Sequence, residues 1–281
     1  IIFYKLSIKI KYMLNKMNFS KPPTVVPVKD LPKDPRIKPT HPNFIQAPAL
    51  LLGIGAVKSG KTVLINNMLL RPYEDGFFGQ EYFDESIIIS NTINNDPTAR
   101  FLKKSCSVID YYTDGVISDL VSKQDAFGEK ENMPFISLIC DDILGSNMKR
   151  NNEISFLATR FRHKNIGLMG VFVQNFKSVD TILRNNATDV IIFKQSNNKQ
   201  LEQIAEEYCS MFGNKEKFYE IYKKAVKIKY DFLYLKVQEG LALRSFEEVL
   251  WNTETDLDQN QVDTPDHEVL ESKEGECESM A

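Results

Sequence analysis

The chain has 281 residues, 42% hydrophobic and 26% charged, with a formal net charge of −3. That is enough apolar material for a core in one large domain or two small ones. No apolar run approaches the ~18 residues of a membrane span, and the four widely spaced cysteines (Cys106, Cys140, Cys209, Cys277), with no CxxC pair, suggest neither a disulfide framework nor a zinc site and read as reduced thiols.

Residues 1–40 carry nine Lys/Arg and two Asp. "IIFYKLSIKIKYML" is broken by Lys5, Lys9 and Lys11 and resembles no signal peptide. The chain does not begin with Met, and it reads as translated upstream sequence ahead of a start at Met13 or Met17. Prolines then crowd "KPPTVVPVKDLPKDPRIKPTHP", which predicts an extended lead-in, because proline removes a donor and fixes φ. From residue 49 short apolar runs alternate with helical patterns. Strands are predicted at 49–56, 86–90, 135–141, 168–174 and 189–195. Continuous apolar strands separated by helices indicate a mostly parallel α/β sheet covered on both faces. Residues 197–212 and 214–227 read as two amphipathic helices, and "YDFLYLKVQEGLALRSF" as a C-terminal β-hairpin turning near Glu239-Gly240. After Trp251 periodicity is lost, and residues 251–281 hold ten Asp/Glu against one Lys. The basic arm and the acidic tail read as solvated ends. The implied organisation is an arm over 1–40, a domain over 41–250 and a tail over 251–281.

Four features carry chemistry. "GIGAVKSGKT" holds Gly55, Ala56, Val57, Lys58, Ser59, Gly60, Lys61 and Thr62 in the full phosphate-loop spacing. Its glycines let main-chain N–H groups form a nest for phosphates. Lys61 can reach the β- and γ-phosphates, Thr62 offers a hydroxyl to Mg²⁺, and the following helix points its positive end at the anion. Lys58 reads as solvated. "FISLICDD" is a buried strand delivering Asp141 and Asp142 to the carboxyl edge of the sheet; Asp141 would hold Mg²⁺ and Asp142 would act as general base toward water. Gln174, ending "GVFVQ", could touch both the γ-phosphate and that water. Arg160, Arg162 and Arg184 are each candidates for an arginine finger supplied to a neighbouring subunit.

These residues resemble the DNA-packaging ATPases of large eukaryotic DNA viruses and virophages, a branch of the FtsK–HerA motor superfamily. The resemblance runs from about His41 to Leu250. It rests on "GIGAVKSGKT", "FISLICDD", "TRFRHKNIGLMGVFVQNFKSVDTILRNNATDVIIF" and "LALRSFEEVL", the third being the narrowest. It implies a P-loop NTPase fold of RecA/FtsK type that uses ATP and Mg²⁺. It assigns Lys61 and Thr62 to phosphate and metal, Asp141 to the metal, Asp142 to the catalytic acid (more often Glu in the superfamily), Gln174 to the sensor and Arg162 to the finger ahead of Arg160 and Arg184. It further implies a homo-oligomeric ring driving double-stranded DNA into a capsid, a capsid-protein partner, and a place in the host cytoplasm or the virion. Lys149 and Arg150 in "SNMKRNN" are candidates for DNA contact.

Other readings compete. Asp142-Ile143-Leu144-Gly145 fits a GTPase switch, but no Asn-Lys-x-Asp run follows a later strand. A nucleotide kinase would not explain Gln174. A nucleotide-binding scaffold without turnover keeps the same motifs.

Overall fold

Apolar runs with no polar break form strands that are buried on both faces, and here they build the centre of a mixed sheet. In the computed structural model the described residues are 34–143 and 152–255. The chain divides into two compact units between Pro35 and Arg36, and the sheet with its helices belongs to the second. Arm residues up to 33, the DNA-contact candidates Lys149 and Arg150, Leu144-Gly145 of the switch-like motif, and the tail from 256, with Cys277, lie outside the described residues.

Among the described residues the strands are β1 (Ala49–Ile54), β2 (Glu85–Ser90), β3 (Ser107–Ile109), β4 (Ile136–Asp141), β5 (Ile166–Val173), β6 (Asp189–Phe193), β7 (Phe232–Lys236), β8 (Leu241–Arg244) and β9 (Glu248–Asn252). The α-helices are α1 (Lys61–Leu70), α2 (Leu102–Ser105), α3 (Val116–Asp125), α4 (Asn152–Ala158), α5 (Thr181–Asn186), α6 (Asn198–Tyr208) and α7 (Lys215–Ala225). The strands form one sheet of nine in the order β3-β2-β4-β5-β1-β6-β7-β8-β9. Pairing is parallel from β3 to β6 and antiparallel from β6 to β9.

Alternation along each strand sends its side chains into two cores. Leu50, Leu52 and Ile54 of β1 face a core closed by α3 to α7 through Ile117, Ile154, Leu183, Ile204 and Phe218. Ala49 and Leu51 face the other, closed by Leu64, Ile65 and Met68 of α1, Leu102 of α2 and the aromatic group Phe44, Phe78, Tyr82 and Phe83. The expected sheet covered on both faces is therefore present, and the expected strands and the two amphipathic helices appear within a few residues of their predicted ends. α6 and α7 are preceded by Asn197 and Asn214, whose side chains accept backbone N–H groups as N-caps.

Two differences are physical. The closing hairpin is a three-stranded antiparallel meander, since β9 pairs with β8 and carries the pattern on to Asn252. Its burial is slight, so "EEVLW" has too weak an alternation to read as a strand. At the opposite edge β3 is only three residues long, too short to leave a periodic signal.

Candidate active site

Register puts the functional strand tips on one rim. Phe172 of β5 pairs with Gly53 of β1 on one side and Asp141 of β4 on the other. Asp141 and Gly53 therefore stand level, with one strand between theirs. Further out, Asp142 N–H donates to Phe172 O at 3.1 Å and Gly55 N–H donates to Val173 O at 2.9 Å. The glycine loop, both aspartates and Gln174, which follows β5, thus share the carboxyl edge of a parallel sheet, where α/β proteins bind ligands.

The loop bends as its glycines allow. Gly60 has φ +108° and caps α1 in a left-handed conformation with no side-chain cap and no acidic residue in the first turn. The opening N–H groups of α1 are left for an anion. A Cβ at Gly55 would stand 2.8 Å from Phe193 Cδ2, so the loop also needs glycine for close packing. Ala56, Val57 and Lys58 stand at its crest, and the exposure of Lys58 is in keeping with a solvated side chain. Lys61 is only 8% exposed, and its ammonium donates to Gly55 O at 2.8 Å and Ala56 O at 3.1 Å. Burial pulls the Lys61 pKa below its ordinary value, against the opposing charges of Asp142 and Asp141.

Asp141 is 9% exposed, and its Oδ1 is buried with no hydrogen-bond partner among the described residues. Burial pushes its pKa up to about 6 from 3.8; Lys61 pulls it down, Asp142 and Asp96 push it up, and the Ser90 hydroxyl bond lowers it. An unpaired buried carboxylate oxygen is costly unless a cation reaches it. Asp142 sits at φ +56°, a left-handed position uncommon for a side-chain-bearing residue. Its Oδ2 accepts a hydrogen bond from Gln174 Nε2. The expected acid and sensor are therefore in direct contact.

Two features escape a reading of the sequence. Asp96, beyond β2, brings a third carboxylate to the rim. Its Oδ1 accepts from Thr98 N at 2.8 Å and Thr98 Oγ1 at 2.5 Å, and it also bonds the Thr62 hydroxyl. Burial raises its pKa, but the bonds from Thr98 and Thr62 outweigh that and leave it lowered. In the sequence Asp96-Pro97 signals only a turn or cap, and nothing linear ties it to Thr62. The second is a run of amides. Gln200 Nε2 of α6 donates to Gln174 O at 3.1 Å and Gln195 Oε1 at 2.5 Å, and Gln195 Nε2 donates to Ile54 O at 3.2 Å. Gln195 follows its strand as an amide just as Gln174 does, which is the signal the sequence offers.

The three arginines lie apart from this cluster in bonding. Arg162 is exposed, 5.5 Å from the Phe161 ring centroid. The Arg160 guanidinium lies 3.2 Å from the Phe156 ring centroid. Arg184 pairs with Glu207 at 2.5 Å, donates to Thr181 Oγ1 at 3.0 Å and lies 5.1 Å from the Phe176 ring, contacts that tie α5 to α6. No described helix is long and apolar enough to cross a membrane.

No protein-family model matches this chain, and no curated protein sequence does. Solved structures do. The DNA-packaging ATPase B204 of Sulfolobus turreted icosahedral virus matches with a TM-score of 0.51 at 17% identity, over 69% of this chain and 95% of B204. The genome packaging NTPase B204 of Sulfolobus turreted icosahedral virus 2, solved with AMPPCP, matches at 0.49 and 19%, over 69% of this chain and 95% of that one. The type VII secretion ATPase EccC of Thermomonospora curvata matches at 0.47 and 11%, over 74% of this chain and 28% of that one. At these identities the likeness is one of fold: the chain has the fold of a P-loop NTPase, as its loop and strand order require.

Proposed function

We propose that this chain is an ATP-hydrolysing motor that drives double-stranded viral DNA into a preformed capsid, working as a homo-oligomeric ring. The observation that carries the ATPase part is the shared rim: a phosphate loop on β1, paired aspartates on β4, and Gln174 from the strand between. B204, whose fold this chain shares, is a DNA-packaging ATPase, and the sequence resemblance points the same way.

The site fits a magnesium ion by the chemistry of its donors. Asp141 offers a buried oxygen without a partner among the described residues, and Thr62 stands at the start of α1 with its hydroxyl toward a carboxylate. Magnesium is commonly held by one or two protein oxygens plus substrate phosphates. When bound it would neutralise charge on the β- and γ-phosphates.

The chain's own groups supply the rest. The N–H groups of residues 56–62 and the opening of α1 hold the phosphates. Lys61 exchanges its bonds to the Gly55 and Ala56 carbonyls for phosphate oxygens, which its buried, partly desolvated ammonium favours. Asp142 takes the proton of the attacking water. Gln174 holds Asp142 in line, and its amide senses the γ-phosphate. Because Gln174 joins the amide run of Gln200 and Gln195, a change at the phosphate reaches α6 and β6. Arg162, the exposed member of the three arginines, is the one suited to reach a neighbouring subunit's nucleotide. The DNA is gripped through phosphates without sequence preference, at an assembly site in the host cytoplasm, and the capsid protein is the docking partner.

The test is ATP hydrolysis by the full chain with and without duplex DNA, at low and high salt. A motor gives hydrolysis stimulated several-fold by DNA of any sequence, with the stimulation lost at high salt as counterion release weakens phosphate contacts. Hydrolysis indifferent to DNA removes the packaging reading. Nucleotide binding without turnover makes the chain a scaffold.

A further inference from the structure

The loop and carboxylates account for a triphosphate but say nothing of what it is attached to. The γ-phosphate end is set by Asp141 and Gln174, which lie on the β4–β5 side of β1. A nucleotide held that way has the β6–β7 side of the loop open to its other end. A cavity of about 830 Å³ opens there, within the range of small-molecule sites. It begins at Gly60 and Val63, beside the phosphate loop, and continues past Asn67 of α1 to Phe193, Tyr230 and Phe246.

Tyr230 stands out in this wall. It lies just before β7, at φ +74°, where a bulky side chain is an outlier. Such strain persists when surrounding structure holds it and collects at functional sites. Its Cδ1 would lie 3.6 Å from a Cβ placed on Gly60, so the ring stands against the phosphate loop. Yet the residue is 59% exposed, which makes no sense for a core aromatic. Its face already takes a guest: Lys229 Nζ stands 4.7 Å from the ring centroid, a contact that is weak at an exposed site.

We propose that Tyr230 is the platform on which the nucleotide's base stacks, with the cavity between α1, Phe193 and Phe246 as the base and ribose site. This rests on the nucleotide-binding role proposed for the loop. A flat aromatic guest covers the ring, displaces the exposed Lys229 and spans from Gly60 into the cavity, so that the strained backbone at Tyr230 serves to set the ring beside the loop.

The test compares binding of ATP and of inorganic tripolyphosphate by calorimetry, in the wild-type chain, Tyr230→Ala and Tyr230→Phe. Tripolyphosphate reads the loop alone and reports that the variant is folded. Tyr230→Ala should weaken ATP roughly tenfold, as loss of base stacking does, and leave tripolyphosphate within about twofold; Tyr230→Phe, which keeps the ring, should bind ATP within about twofold of wild type. ATP affinity unchanged in Tyr230→Ala overturns the proposal and leaves the nucleotide reading standing. Equal loss of ATP and tripolyphosphate overturns it too, since Tyr230 would then act only through the shape of the loop. A wild-type chain that binds neither overturns the nucleotide reading itself, and this inference with it.

Discussion

Two buried aspartates in this sheet have opposite fates. Asp189 opens β6, beside the antiparallel strands, and both its oxygens are used: Tyr234 OH donates to Oδ1 at 2.5 Å and Thr188 Oγ1 to Oδ2 at 2.7 Å, with the Lys236 charge nearby. Asp141 closes β4 in the parallel half, and its Oδ1 has no partner among the described residues. Burial pushes both carboxyls upward. At Asp189 the fold's own hydroxyls and Lys236 offset part of that cost, whereas at Asp141 one carboxylate oxygen is left without a partner among the described residues. A satisfied buried acid is accounted for by the fold, whereas an unsatisfied one is a candidate functional group.

Two substitutions probe that contrast directly, and a third, with the largest effect, tests the catalytic rim beside Asp141. Asp142→Asn keeps the hydrogen bond to Gln174 within reach but removes the proton acceptor. Hydrolysis should fall roughly 10²–10⁴-fold while ATP affinity stays within a few-fold; turnover that persists in a rapid-quench assay would move the base to another residue.

Asp141→Asn comes next and should separate stability from function. Because the Asp141 pKa is raised from 3.8 to about 6, the folded chain binds its proton more tightly than the unfolded chain. Stability is therefore lost as pH rises from about 4 through about 6, and the loss is complete above that. Asn escapes it. At pH 7 the variant should be more stable by up to about 3 kcal/mol, near wild type at pH 4, and inactive. Urea melts at both pH values check this, and a variant destabilised at pH 7 would mean that Asp141 is already satisfied.

Asp189→Asn is the same chemical change at a carboxyl that burial also pushes up, but here the two hydroxyl bonds it accepts set the opposite sign. An amide donor would face the Tyr234 and Thr188 hydroxyls, which would have to turn or lose a bond. The cost should be about 1–3 kcal/mol, read as a lower urea midpoint, with hydrolysis per folded molecule unchanged. Lost activity in a fully folded variant would erase the distinction between the two sites.

The contrast also explains how much could be read from the chain. Lys61, Thr62, Asp141, Asp142 and Gln174 were legible as candidates because a parallel sheet writes its rim linearly: each strand runs into the rim, and the residues that end it or follow it land there. Asp96 follows no such rule. It reaches Thr62 through a turn beyond β2 whose sequence speaks only of capping, so contact between residues so far apart in the chain had no local signal. Arg184 was legible as a basic residue and no more; its bond to Glu207 depends on how α5 meets α6. Tyr230 read as the opening residue of the closing hairpin until its positive φ and its neighbour Gly60 were known.

The strand–helix alternation, the parallel half of the sheet and the phosphate loop were already written into the linear chain, because apolar runs, glycine freedom and helix periodicity act over a few residues. Three-dimensional packing alone settled which carboxylates are satisfied, which ring stands beside the loop, and that the closing hairpin gains a third strand. Those outcomes depend on desolvation and on partners brought together from distant parts of the chain, and neither leaves a trace in local pattern.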